Sequence, residues 1–391
     1  MEFELWYLVS IPLLFAAGWC LRGVDIKQRK VEKQGLEDNY FKGLSLLLSD
    51  EPDKAIDQFI EVVRLDPETI ELHHALGNLF RRRGQFDRAI RLHSFLVNRS
   101  ELPETERATA LSELALDFLK AGTYDRAEAA YQSLANFKDR RHEAVNALMH
   151  IYCTEREWVK AIEQAQLLQR EAGKDLHVEI AHYYCELALL ARQSKDTERA
   201  LQFARDARSV NPSSPRALAL SADLALEAGD ADEALTYWKT IEEKRSEYLP
   251  LIATKKAQVL AERNRQEAIE YLENVFERTG SLDILNAVAM NLSTWGQVRE
   301  AEKFAQQALK KRPSMSAFAV LCRLRSKAAP EDEEAKMLAE LTARQAKTFA
   351  RYQCSHCGFL AHTFTWQCPG CETWDAFPPT RVEESKKASG Y

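Results

Sequence analysis

Four cysteines near the C-terminus carry the most explicit chemistry in this 391-residue chain. Cys354-Ser355-His356-Cys357-Gly358 and Cys368-Pro369-Gly370-Cys371 are two CxxC pairs with ten residues between them. Two thiolates at that spacing grip one side of a metal ion from a single tight turn. A second such turn completes a tetrahedral, all-sulfur site. Gly358 and Pro369-Gly370 favour the sharp bends that turn backbone amides toward the sulfurs. Cys354, Cys357, Cys368 and Cys371 are therefore the predicted ligands of one metal ion. Zn²⁺ is the default, and iron is the other cation that a tetrahedral sulfur site accepts. His356 and His362 stand close by but are not needed once four thiolates are present. A closed four-sulfur site leaves no open position for a substrate, which argues against hydrolytic metal chemistry.

A segment of about 25 residues is too small to fold on apolar burial alone, so the ion must organise it. The predicted module covers residues 350–379, and residues 380–391 after Pro378-Pro379 read as a disordered tail. Phe359, Phe364, Trp366, Trp374 and Phe377 give the module more aromatic surface than so small a core can hide. That surface is expected to dock on the last hairpins of the preceding array or on a partner protein. The knuckles resemble the rubredoxin and zinc-ribbon group, with a shorter insert between them than rubredoxins have. Many zinc ribbons bind nucleic acid. Here Arg381 is the only Lys or Arg between Cys354 and Arg381, against Glu372 and Asp375, so the cationic footprint that phosphate binding requires is missing.

The elements that must present this module repeat. An alanine recurs at Ala55, Ala89, Ala127, Ala161, Ala200, Ala234, Ala268 and Ala301, at intervals of 34, 38, 34, 39, 34, 34 and 33 residues, with a weaker ninth position at Ala335. Such self-similarity marks a stacked helical solenoid. Twelve residues before each alanine stands a mostly small residue (Gly77, Ala115, Ala188, Ala222, Ala289), and nine before it a larger apolar one in several repeats (Phe80, Phe118, Tyr152, Val259, Leu292). Gly84, Gly122, Gly229 and Gly296 fall five before it, where a turn between two helices needs a left-handed residue. Lys256 breaks the small-residue rule in the repeat of Ala268. The pattern resembles the tetratricopeptide repeat family over residues 36–349, as eight clear repeats and a degenerate ninth. The two long intervals imply extra turns near residues 98–107 and 171–179. Arg81-Arg82-Arg83 with Arg88 and Arg91 form a basic cluster on one hairpin, read first as a solvated face and second as a docking site for an acidic segment.

At the other end, Leu5 to Leu21 is a run of 17 uncharged residues, about 26 Å as a helix and at the short limit for crossing a hydrocarbon core. Residues 1–21 are thus expected to be a transmembrane anchor, with Trp6, Tyr7 and Trp19 at its interfaces. Arg22, Lys27, Arg29, Lys30 and Lys33 follow in a basic linker, residues 22–35, which the positive-inside rule keeps on the cytoplasmic side. A cleaved signal peptide would need a basic start, and this chain begins Met1-Glu2-Phe3-Glu4. The expected fold is all-α: a tetratricopeptide-repeat solenoid between a transmembrane helix and a small metal module.

The net charge of −6 with a pI near 6.0 gives no general attraction for nucleic acid. No phosphate-cradling or dinucleotide glycine motif occurs. His177-Val178-Glu179-Ile180-Ala181-His182 has its histidines five apart and cannot hold a metal as HExxH does. An enzyme is not expected. The combination of anchor, array and terminal CxxC…CPxC resembles the lipopolysaccharide assembly protein B family over the whole chain. That resemblance implies a single-pass inner-membrane protein whose bulk faces the cytoplasm. It further implies an adaptor helping the membrane AAA+ protease FtsH to degrade the deacetylase LpxC, contacts with lipopolysaccharide synthesis and export proteins, and restraint by an inner-membrane regulator. The family's ligands fall on Cys354, Cys357, Cys368 and Cys371. A membrane-tethered assembly scaffold or co-chaperone without a proteolytic role is the alternative.

Overall fold

The computed structural model describes residues 70–349 and 351–384, with the isolated positions Lys42, Ser45, Lys54 and Ile60. The expected anchor (1–21), basic linker (22–35), the repeat around Ala55 apart from those four positions, and residues 385–391 lie outside the described residues. No helix among the described residues is long and apolar enough to cross a membrane.

The described chain is a succession of helical hairpins. They are α1 (Ile70–Arg82) with α2 (Phe86–Val97), α3 (Glu104–Lys120) with α4 (Tyr124–Leu134), α5 (Arg141–Thr154), α6 (Trp158–Ala172), α7 (His177–Gln193) with α8 (Thr197–Val210), α9 (Pro215–Glu227) with α10 (Ala231–Lys244), α11 (Leu249–Arg263) with α12 (Arg265–Thr279), α13 (Leu282–Thr294) with α14 (Val298–Lys311), and α15 (Met315–Ala328) with α16 (Glu333–Phe349). Two compact units result. One holds the described residues to Glu157 together with Arg170–Gly173. The other holds Trp158–Gln169 and everything described from Lys174 onward.

The anchor alanines open the second helix of each hairpin and are sealed: Ala89, Ala127, Ala161, Ala200, Ala234, Ala268 and Ala301 have no exposed surface. A larger side chain there would push paired helices apart. The turns behave as their residues require. Gly84, Gly122, Gly229 and Gly296 have φ of +72° to +84°. Where the repeat has no glycine at that place, Arg156 and Lys195 adopt the same left-handed conformation at φ 61° and 62°. The long intervals are absorbed partly as helix, since α3 and α7 each run 17 residues. Lys256, out of pattern, reaches Glu242 at 2.7 Å and lies over Tyr271, and Ala257 next to it takes the buried position.

In the first unit, the basic cluster divides. Arg81 turns inward, donating to Asp117 at 2.8 Å and Glu113 at 2.6 Å, and His93 meets the other Asp117 oxygen at 2.5 Å. Arg88 lies over the Phe80 ring, and Arg82 and Arg91 remain exposed. Arg81 is therefore a packing residue that neutralises a buried carboxylate, and cannot serve a docking face.

Candidate metal centre and its seat on the repeats

After α16 the chain forms β1 (Tyr352–Gln353), which pairs antiparallel with β2 (Leu360–Ala361) in the register Tyr352 to Ala361 and Gln353 to Leu360. Between the strands lies the first knuckle. The Cys354 amide donates to Phe359 at 2.9 Å and the Gly358 amide to Cys354 at 3.0 Å, with Gly358 at φ +77°. The second knuckle repeats the device, with Cys368 N–H on Thr373 and Glu372 N–H on Cys368. Cys354, Cys368, Tyr352, Ala376 and Phe377 form the buried centre of the module.

The four sulfurs lie within 4.8 Å of one another. Cys354 Sγ is 3.8 Å from Cys371 Sγ, and Cys357 Sγ is 3.6 Å from Cys368 Sγ. A tetrahedron with metal–sulfur bonds of about 2.3 Å has edges of about 3.8 Å, so the donor set has the size a single ion requires. Amides are already aimed at the sulfurs: Cys357 N is 3.5 Å from Cys354 Sγ and Gly370 N is 3.4 Å from Cys368 Sγ. Sulfurs this close cannot share negative charge evenly. The Thr373 hydroxyl, and then its amide, hold the Cys371 thiol down at about 5. At Cys357 the Phe359 amide favours the thiolate, yet the neighbouring sulfurs and burial outweigh it and push the thiol up to about 12. A cation at the centre removes that repulsion. His356 and His362 are not among the clustered donors.

The module is seated on the repeats of the second unit, where His182, Arg216, Tyr248, Asp283, Leu282 and Ser316 meet it from the first helices of hairpins or from the turn just before one. On α7, His182 has no exposed surface; its Nε2 is 3.0 Å from Asp375 Oδ1, and its ring stacks on Trp374 at 4.4 Å. Arg216 of α9 lies 3.4 Å from His182 Nδ1, pairs with Glu186 at 2.6 Å and passes over Trp374. A guanidinium can only donate, so Nδ1 accepts, Nε2–H donates to Asp375, and the ring is neutral. Burial likewise pulls the His182 pKa below its ordinary value, against the opposing effect of Asp375. Tyr248, just before α11, stacks on Trp366 at 5.6 Å. On α13, Asp283 receives Arg381 at 2.6 Å and the Tyr352 hydroxyl at 3.2 Å.

Residues 381–384, expected in a disordered tail, are ordered in this seat. Arg381 bridges to Tyr352 as a third strand position, and Val382–Glu384 form a short 3₁₀ turn. Glu384 accepts the Leu282 amide at 2.7 Å, supplying a cap that Ser281 does not give to α13. Glu383 accepts the Ser316 hydroxyl and, at 3.4 Å, its amide at the start of α15. Carboxylates at helix N-termini meet unpaired amides and the positive end of the helix dipole, which is why the chain holds here. Burial raises the Glu384 pKa to about 7 against those amide bonds.

The aromatic surplus divides accordingly. Phe377 fills the module's own core, Trp366 and Trp374 seat it, and Phe364 packs between Tyr352 and Trp366. Phe359 stays 43 % exposed, and a β-carbon at Gly370 would lie 3.1 Å from its ring. The seat runs from α7 to α15, further back than the last hairpins. In the sequence His182 stood out only as the end of a run unlike HExxH and Asp375 only as a negative charge, and Arg216, Tyr248, Asp283 and Glu384 carried no motif. The unpaired aromatic surface was the one sign that such residues had to exist.

Fold and site together define a tetratricopeptide-repeat protein whose first helices carry a rubredoxin-like metal module. Family models agree: tetratricopeptide repeat over residues 74–142 and 191–259, and rubredoxin metal binding domain over residues 352–379. Lipopolysaccharide assembly protein B of Escherichia coli K12 is 32% identical over 386 residues, covering 97% of this chain and 98% of that one. The Haemophilus influenzae protein of the same name is 29% identical over 405 residues, covering 97% and 99%. A solved tetratricopeptide repeat protein from Parabacteroides merdae, 13% identical over 79% of this chain and 99% of that one, superposes with a TM-score of 0.34, too loosely to carry an argument. The chain belongs to the lipopolysaccharide assembly protein B family.

Proposed function

We propose that this protein is a non-enzymatic adaptor that regulates lipopolysaccharide assembly. The observation that carries the reading is the end-to-end relationship to proteins named for lipopolysaccharide assembly. Repeats, metal knuckles and the spacing between them all fall within the matched span. Cys354, Cys357, Cys368 and Cys371 hold one metal ion, with Zn²⁺ favoured and iron the second choice. The ion cross-links two knuckles that could not otherwise stay folded, and so shapes the surface that His182 and Tyr248 hold against the repeats.

The finer reading follows the family. Residues 1–21 anchor the chain in the inner membrane, with the repeats and module on the cytoplasmic side. There the adaptor brings LpxC to FtsH, raising the local concentration of one beside the other. Contacts with lipopolysaccharide synthesis and export proteins, and restraint by an inner-membrane regulator, belong to the same reading. Depletion of the protein in cells is expected to raise LpxC levels severalfold, and FtsH is expected to co-purify with the tagged full-length chain. Unchanged LpxC turnover would instead favour a general assembly scaffold.

A further inference from the structure

The last helix of the array has two kinds of apolar surface. Thr342 and Ala346 are buried, on the side that packs against α15. Beside them Met337, Leu338, Leu341 and Phe349 are 58, 44, 50 and 53 % exposed. At 100° per residue these four fall within an arc of about 120°, apolar without a break from Met337 to Leu341 and interrupted by the exposed Gln345 and Thr348 before Phe349. A solenoid normally ends in a hairpin with a polar outer face, because an apolar one invites another hairpin to stack on it. Here the array ends on the inviting kind.

The charges on α16 say what fits. The approach to the helix and its first two residues are acidic (Glu331, Asp332, Glu333 and Glu334, with Lys336 the one base among the first turns), and its end is basic, with Arg344 and Lys347. The pairs formed within the helix, Lys336 to Glu333 and Arg344 to Glu340, are exposed, and such pairs hold little free energy. Leu341 is the middle residue of the 17 in α16. Two copies of this helix laid antiparallel about Leu341 set each acidic end against the other's basic end and oppose their dipoles. The same rotation turns the apolar arcs toward each other, with Leu341 against its own copy and Met337 and Leu338 of the two helices to either side of it. That is the self-complementary pattern of a two-fold interface.

We propose that a second copy of this chain covers the stripe, so that the protein is a homodimer joined through antiparallel α16 helices. The full-length chain in mild detergent should have twice its monomer mass by light scattering or sedimentation. Met337→Asp with Leu341→Asp should halve it while the helical circular dichroism is unchanged. Independently of those charge changes, Leu341→Cys should give a covalent dimer under mild oxidation, and Phe95→Cys, exposed in the first unit, should give no more than the wild type. A monomeric wild-type chain, a dimer that survives the double substitution, or cross-linking no greater at position 341 than at position 95 would each overturn the proposal. Capture of a different protein by the stripe of a monomeric chain would overturn it in favour of a heterologous partner.

Discussion

His182 holds the most constrained position at the seat of the metal module. It is sealed from solvent, stacked on Trp374, bonded to Asp375 and approached by Arg216. Replacing it with Ala leaves the Asp375 carboxylate and the Arg216 guanidinium each short of a partner, a cost of about 1–3 kcal/mol. The expected result is earlier release of the module in urea, followed by Trp374 and Trp366 fluorescence, before the helices melt. Acid should do the same in milder form. The His182 pKa is lowered in the folded protein, so its unfolded form binds the proton more readily. The stability it contributes is complete above the ordinary histidine pKa and is lost as pH falls through the lowered one. Module docking should therefore weaken below about pH 6.5. A His182→Gln variant, which cannot charge, should show a flatter profile by the same fluorescence. An equal acid response in both would mean that another group controls docking.

At the scale of the hairpin, stability depends on how closely two helices can approach. Gly77 on α1 faces His93 on α2, and a β-carbon at position 77 would lie 2.5 Å from the imidazole. His93 cannot move freely because it is bonded to Asp117, which also holds Arg81. Gly77→Ala should thus cost more than the ordinary effect of removing a helical glycine, about 1–3 kcal/mol of overpacking in place of a gain in helix propensity. Thermal or denaturant unfolding measures it. An unchanged or raised midpoint would show that the ring swings aside. The small residues twelve places before each alanine were legible as close-approach positions because that geometry repeats within one hairpin. The ion network around Asp117 was not, since Arg81 looks like any other member of an arginine run until α3 is brought against it.

For the whole molecule, the metal module and the repeats stand in an unequal relation. The helices are built from local bonds and neighbour stacking, whereas a module this small is expected to need an ion at its four thiols to stay folded. Cys357→Ser, or a strong chelator, should release metal and free the module while leaving helical circular dichroism nearly intact. A global loss of helicity would show that the module supports the second unit instead of resting on it. The seat explains why the effect should nonetheless be felt along the array, since Glu384 and Glu383 cap α13 and α15.

By itself the sequence determined what repeats or closes over a short span: the sealed alanines, the left-handed turn residues and the spacing of four thiols. Each is dictated by contacts within one hairpin or one knuckle, where the chain's own geometry leaves little choice. The seat of the module was decided only in three dimensions. His182 meets Asp375 across 193 positions, and Leu282 meets Glu384 across 102. No period or motif marks such pairs, because a lone histidine and a tail carboxylate gain their meaning from the surfaces that packing sets against them.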